Sequence, residues 1–311
     1  MLRRTFAGMT LTAIFAPGFA PSAQAQDWKA TVKELRIGLM GGENSADRLK
    51  RHDGFQKLLE ARFGIPVKLF PSADYAGVMQ GMAAGQLDAA GFGASGFAGT
   101  WLDCHCVEPV VVPQEKDGST FYYSVMVVRK DSGITSIEQM KGHSLAFADP
   151  NSTSGYLIPS ATLKAKGIDL GEGKYFSRVG FSGGHEQGVV AMLNKQYDAC
   201  VTWTSGQGDI AEGYSRGNLR SMVEKNMLKM SDVRIIWQSG KIPNGPWAVR
   251  SALPASLKQA LTEFMLDLPK SHPDVYQAIE QGTGVGYAPA TMELYKDIIE
   301  LREAERRGGR S

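Results

Sequence analysis

Once the first residues are set apart the chain has no excess of either charge, no apolar stretch long enough to cross a bilayer, and only three cysteines among 311 residues. Lys and Arg number 34 against 32 Asp and Glu, and residues 1–25 hold Arg3 and Arg4 but no acid, so residues 26–311 carry 32 − 32 = 0. That balance argues against nucleic acid or an anionic membrane surface as a partner, and any bound anion must be held by local geometry. Cys104-His105-Cys106 offers two thiols and one imidazole, short of the fourth ligand of a closed zinc site, and Cys200 sits in an apolar run where a buried thiol is common. No metal or other cofactor is expected, and a local disulfide within the first pair stays open.

The interrupted apolar run Phe6–Phe15 follows Arg3-Arg4 and precedes the small-x-small site Ala23-Gln24-Ala25, the pattern of a secretory signal peptide. The expectation is cleavage after Ala25, with no cysteine at that point to accept a lipid and a soluble exported product. For a bacterial source the compartment is the periplasm.

With 43% hydrophobic residues the remaining length suits about two domains. Strand and helix patterns alternate: strand Glu34–Met40, helix Ala46–Phe63, strand Val67–Phe70, a helix capped by Asp74 running through Ala84, and strand Leu87–Gly91. After strand Val107–Pro113, the β-rich run Phe121–Arg129 crosses into a second unit. That unit repeats the alternation with strand Ser144–Ala148, helix Ser154–Lys166, strand Phe176–Val179, helix His185–Asn194, strand Ala199–Trp203 and helix Gly208–Ser215. Strand Arg234–Gln238 and the turn Ile242–Pro246 return the chain to mostly helical segments over Pro254–Asp267, Pro273–Gln281 and Ala290–Arg306. The reading is α/β: two lobes joined by two hinge strands, 26–121 with 245–311 as one and 122–244 as the other, enclosing a small ligand in the cleft.

Gly91-Phe92-Gly93-Ala94-Ser95-Gly96 fits G-x-G-x-x-G, yet it does not follow the first strand and no long helix is expected after it. Its glycines are read as a loop approaching the cleft. Ala148-Asp149-Pro150-Asn151-Ser152-Thr153-Ser154-Gly155 carries more chemistry: Pro150 stops a strand, and three hydroxyls then cluster at a helix start. Unpaired N–H groups and the positive end of the helix dipole suit a tetrahedral oxyanion there. Gly184-His185-Glu186 puts an imidazole at another helix start, and Tyr75 and Tyr122 stand at expected cleft edges.

Asp74-Tyr75-Ala76-Gly77 with Gln80-Gly81-Met82, Asp149 to Gly155, and Gly184-His185-Glu186 together resemble the phosphate/phosphite/phosphonate-binding periplasmic proteins of ABC importers. The resemblance spans most of the chain after residue 25. It implies a type II periplasmic binding fold, a non-enzymatic receptor that delivers its ligand to a membrane permease, and a phosphonate head group held by Tyr75, Tyr122, Ser152, Thr153, Ser154 and His185. Glu43, Phe92, Trp203, Ser205 and Trp247 are further candidates for the cleft wall.

One departure is informative. Where family members that bind 2-aminoethylphosphonate carry carboxylates for the amine, this chain has Ser205 and Gly245. Either the ligand has no amine, or Glu43 or Asp209 replaces those carboxylates with Trp203 and Trp247 as cation–π faces. The competing enzyme reading would use Ser152 or Ser154 as nucleophile, His185 as base and Asp149 as orienter.

Overall fold

The structure is a computed structural model that describes residues 28–308, so the signal-peptide reading of residues 1–25 lies outside the described residues. The first lobe contains β1 (Leu35–Leu39), α1 (Ser45–Phe63), β2 (Val67–Pro71), α2 (Tyr75–Ala83), β3 (Ala89–Gly91), α3 (Ala94–Cys104) and β4 (Val107–Gln114). The second contains β5 (Phe121–Arg129), β6 (Ser144–Phe147), α4 (Ile158–Ala165), β7 (Arg178–Phe181), α5 (His185–Leu193), β8 (Ala199–Thr204), α6 (Asn218–Glu224), β9 (Val233–Gln238) and β10 (Ile242–Pro243). The chain then rejoins the first lobe through β11 (Trp247–Arg250), α7 (Ala255–Ser271), α8 (Pro273–Glu280), β12 (Gly286–Pro289) and α9 (Lys296–Gly308).

One sheet runs β12-β4-β11-β3-β1-β2, and the other runs β10-β5-β8-β6-β7 with β9 against β5. In each, a parallel trio (β2-β1-β3 and β7-β6-β8) is extended by antiparallel strands supplied after or across the crossings. The chain passes between the sheets twice, from β4 to β5 and from β10 to β11. This is the two-lobe type II arrangement.

Local sequence sets most of these boundaries. Asn44 caps α1 by accepting from the N–H groups of Ala46 and Asp47, and Gly64 ends it in a left-handed conformation that an L side chain disfavours. The buried face of α1, Arg48, His52, Phe55, Leu59 and Phe63, follows helical spacing and packs on the first sheet. Asp74 caps α2 through Gly77 N–H at 2.9 Å, as its position foretold.

Four expectations need correction. The glycine-rich segment after Gly93 is no loop but α3, whose Ala94, Phe97 and Ala98 are fully buried; its small residues let it pack tightly, a Cβ at Gly99 standing only 2.7 Å from Met79. Packing here overrides propensity. Residues 208–215 form only the 3-10 turn Ile210–Glu212, because Gly208, Gly213 and Tyr214 all adopt positive φ; the helix is α6, seven residues long. The segment Ser154–Lys166 opens as a π-helical turn, Thr153–Leu157, before α4. Strand β7 lies two residues later than expected. Strand β12, from residues to which the sequence pattern assigned no element, joins the first sheet beside β4. Cys104 and Cys106 form a disulfide, and Cys200 is free and buried. Among the described residues no helix is long and apolar enough to cross a membrane.

Phe97 fastens α3 to the rest of its lobe. Its ring lies 5.1 Å from that of Tyr295, whose hydroxyl donates to the carbonyl of Asn244 in the return crossing. Phe97→Ala is expected to cost about 3–5 kcal/mol of stability, the usual range for a buried aromatic truncation, read as a shift of the urea unfolding midpoint.

Candidate functional site

A cavity of about 230 Å³ lies between the lobes. Tyr75, Ser152, Thr153, Ser154 and His185 all line it, and each belongs to the first residues or cap of a helical segment. Gly93, the cap of α3, lines it as well. Four helical N-termini therefore face one volume, and those of their first N–H groups that no side chain caps lend it positive potential.

The side chains refine this. Ser152 Oγ accepts from Gly155 N–H at 3.0 Å, so it caps its own turn, and it also lies 3.1 Å from His185 Nε2. Thr153 Oγ1 accepts from Ser95 N–H of the other lobe at 2.8 Å, and Asp149 accepts from Tyr75 N–H at 3.4 Å across the cleft and from Asn151 N–H at 2.7 Å. Ser124 Oγ donates to the carbonyl of Ser154 at 2.6 Å, fixing the triplet against β5. Burial raises the phenols of Tyr75 and Tyr122, so both remain protonated donors. Burial likewise lowers His185 to about 4, with the Val201 backbone acting in the opposite sense, so the ring is neutral at pH 7.

Contacts between the lobes are extensive. The backbones of Gly42 and Gly184 approach so closely that a Cβ at 184 would sit 2.2 Å from Gly42 Cα. Lys225 lies 2.8 Å from Glu186 in its own lobe and 3.6 Å from both Glu43 and Asp47 across the cleft. Arg302 of α9 donates to the carbonyl of Pro150 at 3.2 Å and to the Asn151 side chain. The lobes are closed on the cavity.

At the base of the cleft, Arg216 joins the two crossings. Its guanidinium donates to Glu115 at 2.6 and 2.8 Å and to Asn244 at 2.6 Å, and Asn244 in turn donates to the carbonyl of Pro113. Arg216 also stands 5.2 Å over the ring of Trp203, which meets Tyr122 edge-on.

Tyr122, Glu43, Phe92, Trp203 and Trp247 line the cavity together with the five residues above. Ser205 does not: its hydroxyl is turned to Ser215 at 2.8 Å. Asp209 is exposed and caps its own turn through Ala211 N–H, so it is removed as a substitute counter-charge. Gly245 lies on the wall with its backbone against Phe92, where a Cβ would fall 1.7 Å from the Phe92 carbonyl oxygen; this path has no room for a carboxylate. Glu43 is already engaged by Arg51 in two bonds; burial pushes its carboxyl up, but Arg51 and Lys225 outweigh that and hold it below the ordinary value. The Trp203 face is occupied by Arg216. Missed in the sequence were Arg48, Arg51, Arg216, Asn244 and Glu280, all of them lining residues; Arg216 and Asn244 find their partners far along the chain. Arg48 is spent on the carbonyls of Leu39, Met40 and Ser72. Among the described residues no group of three or more His, Cys, Asp or Glu could hold a metal ion.

A family model described as the periplasmic phosphonate substrate-binding protein of ABC transporters matches residues 37–295. The chain belongs to that family. It is similar to the phosphonates-binding periplasmic protein of Escherichia coli (strain K12), with 28% identity over 276 residues, 87% of this chain and 75% of the relative. The phosphate-import protein PhnD of Mycolicibacterium smegmatis is 28% identical over 243 residues, 75% of this chain and 71% of that one. Among solved structures, a binding protein component of an ABC phosphonate transporter from Pseudomonas aeruginosa superposes with a TM-score of 0.74 at 26% identity, covering 88% of this chain and 87% of that one. PhnD1 of Prochlorococcus marinus, in complex with methylphosphonate, also gives 0.74, at 22% identity over 88% of this chain and 98% of its own, which supports the fold. The protein is thus a phosphonate-family substrate-binding component of an ABC importer, not an enzyme, and family membership implies a periplasmic location. The Ser152–His185 contact has no triad behind it, since both Asp149 oxygens accept from backbone N–H groups away from the imidazole.

Two buried histidines set the acid limit. His52 and His185 are both lowered to about 4 against 6.5, chiefly by burial. As pH falls from about 6.5 toward 4 the unfolded chain takes up protons that the folded chain refuses, so stability is complete above that window and declines through it. Each histidine removes about 2 kcal/mol by pH 5. The melting temperature of the unliganded protein should drop between pH 7 and pH 5, and His52→Asn should shrink that drop; an equal drop in the variant contradicts the assignment.

Proposed function

We propose that the protein captures a phosphonate-type oxyanion in the periplasm, closes its lobes around it and presents the closed form to a membrane permease. Lobe 1 is residues 26–121 with 245–311, lobe 2 is 122–244, and residues 1–25 are the export signal. Tyr75, Tyr122, Ser152, Thr153, Ser154 and His185 hold the head group.

The observation that carries this reading is the convergence of these six side chains, from both lobes, on one enclosed cavity rimmed by helical N-termini. Hydroxyls and backbone N–H groups are donors toward a tetrahedral anion, and a neutral His185 can offer one ring N–H. Because the donors come from both lobes, the ligand binds the closed state better than the open one. It therefore shifts the population toward the form the permease reads. A second reading, phosphate or phosphite as the ligand, is favoured by the relatives described as a phosphate-import protein and as a probable ABC transporter phosphite binding protein, the latter from Prochlorococcus marinus at 24% identity.

Calorimetric titration of the mature protein, stripped of carried-over ligand, with 2-aminoethylphosphonate, methylphosphonate, phosphite and phosphate separates the readings. Tighter binding of a phosphonate than of phosphate or phosphite supports the first. Ser154→Ala, which removes a hydroxyl that caps nothing, should weaken the preferred ligand about 10- to 100-fold, the range for a hydrogen bond to a charged group. Silence from all four compounds would contradict the proposal.

A further inference from the structure

The wall of the cavity can be followed away from the oxyanion triplet. Tyr122 meets Ser154 and Thr153, Trp203 packs edge-on against Tyr122 at 5.5 Å, Arg216 covers Trp203, and beyond Arg216 stands Glu280 at the end of α8. The Glu280 side chain is 10% exposed and lines the cavity. Its Oε1 accepts from Trp247 Nε1 at 3.1 Å and from the Tyr287 hydroxyl at 2.5 Å, which fixes the carboxylate in place. Its Oε2 accepts no hydrogen bond among the described residues; the nearest cation is Arg216 Nη1 at 3.7 Å.

That cation is already committed. Arg216 gives its short bonds to Glu115 and Asn244, and Glu115 itself keeps a buried Oε2 without a partner. Glu115 and Glu280 against Arg216 leave one negative charge in excess, in a buried setting where an uncompensated charge is costly. A carboxylate oxygen fixed by two neutral donors, facing an enclosed space beside an indole, is the environment that accepts an ammonium group.

We propose that Glu280 Oε2 receives the amine of the ligand, so that the substrate class is a zwitterion with a phosphonate at one end and a primary ammonium at the other. This rests on the phosphonate reading above and deepens it. Glu280 does the work of the carboxylates that positions 205 and 245 lack. Trp247 flanks the short alkyl linker.

The test compares 2-aminoethylphosphonate with propylphosphonate, the same shape with a methyl group in place of the ammonium, by calorimetric titration at pH 7. The parent protein should bind the amine at least tenfold more tightly, and in Glu280→Gln, which keeps an acceptor for Trp247 and Tyr287, that ratio should fall to near one. A ratio near one in the parent overturns the proposal without recourse to any variant, and so does a ratio that Glu280→Gln leaves intact. Methylphosphonate run alongside distinguishes the two failures. If it binds while the amine gains nothing, only the role of Glu280 falls; if no phosphonate binds, the phosphonate reading falls and takes this inference with it.

Discussion

Everything about this cleft follows from the need of unpaired backbone donors for an acceptor. Four helical segments start at the same cavity, at Tyr75, Gly93, Ser152 and His185, and the first N–H groups of a helix have no partner within it. An oxyanion satisfies them collectively, while the buried arginines of the wall are spent elsewhere, Arg48 on backbone carbonyls and Arg216 on Glu115 and Asn244. Neutral donors also explain why a chain with no net charge after residue 25 suits an anionic ligand. Selectivity resides in geometry and not in a long-range field.

Closure draws on the same arrangement. Thr153 accepts from Ser95 of the facing lobe, Arg302 of α9 holds the Pro150–Asn151 turn that introduces the triplet, and Gly42 and Gly184 allow the lobes to touch. These contacts exist only when the lobes are together, so the anion site and the closed state are one object. Arg216, tied to Glu115 in one crossing and to Asn244 in the other, keeps both connections in register at the base of the cleft.

Local chemistry made much of this legible before any coordinates. Asp74 and Ser152 cap where capping rules put them, Pro150 ends its strand, and the triplet and His185 reach the same cavity because helix starts at the carboxyl ends of parallel strands share one edge of a sheet. What could not be read is long-range. Arg216 and Glu115 lie 101 positions apart, and Glu280 acquires its meaning only when α8 is laid beside the return crossing. Helix α3 was hidden because its glycines and alanines look like a loop until the tight packing they permit is seen. The expected helix at 208–215 was lost to left-handed residues, one of them Tyr214, a conformation that no pattern of apolar spacing announces.

The central claim is that the ligand itself holds the lobes in the arrangement described here. Small-angle X-ray scattering of the mature protein, with and without saturating methylphosphonate, measures this directly. The account predicts that the bound protein scatters as the closed structure does and that the stripped protein is measurably more extended. Identical profiles in the two states would contradict it.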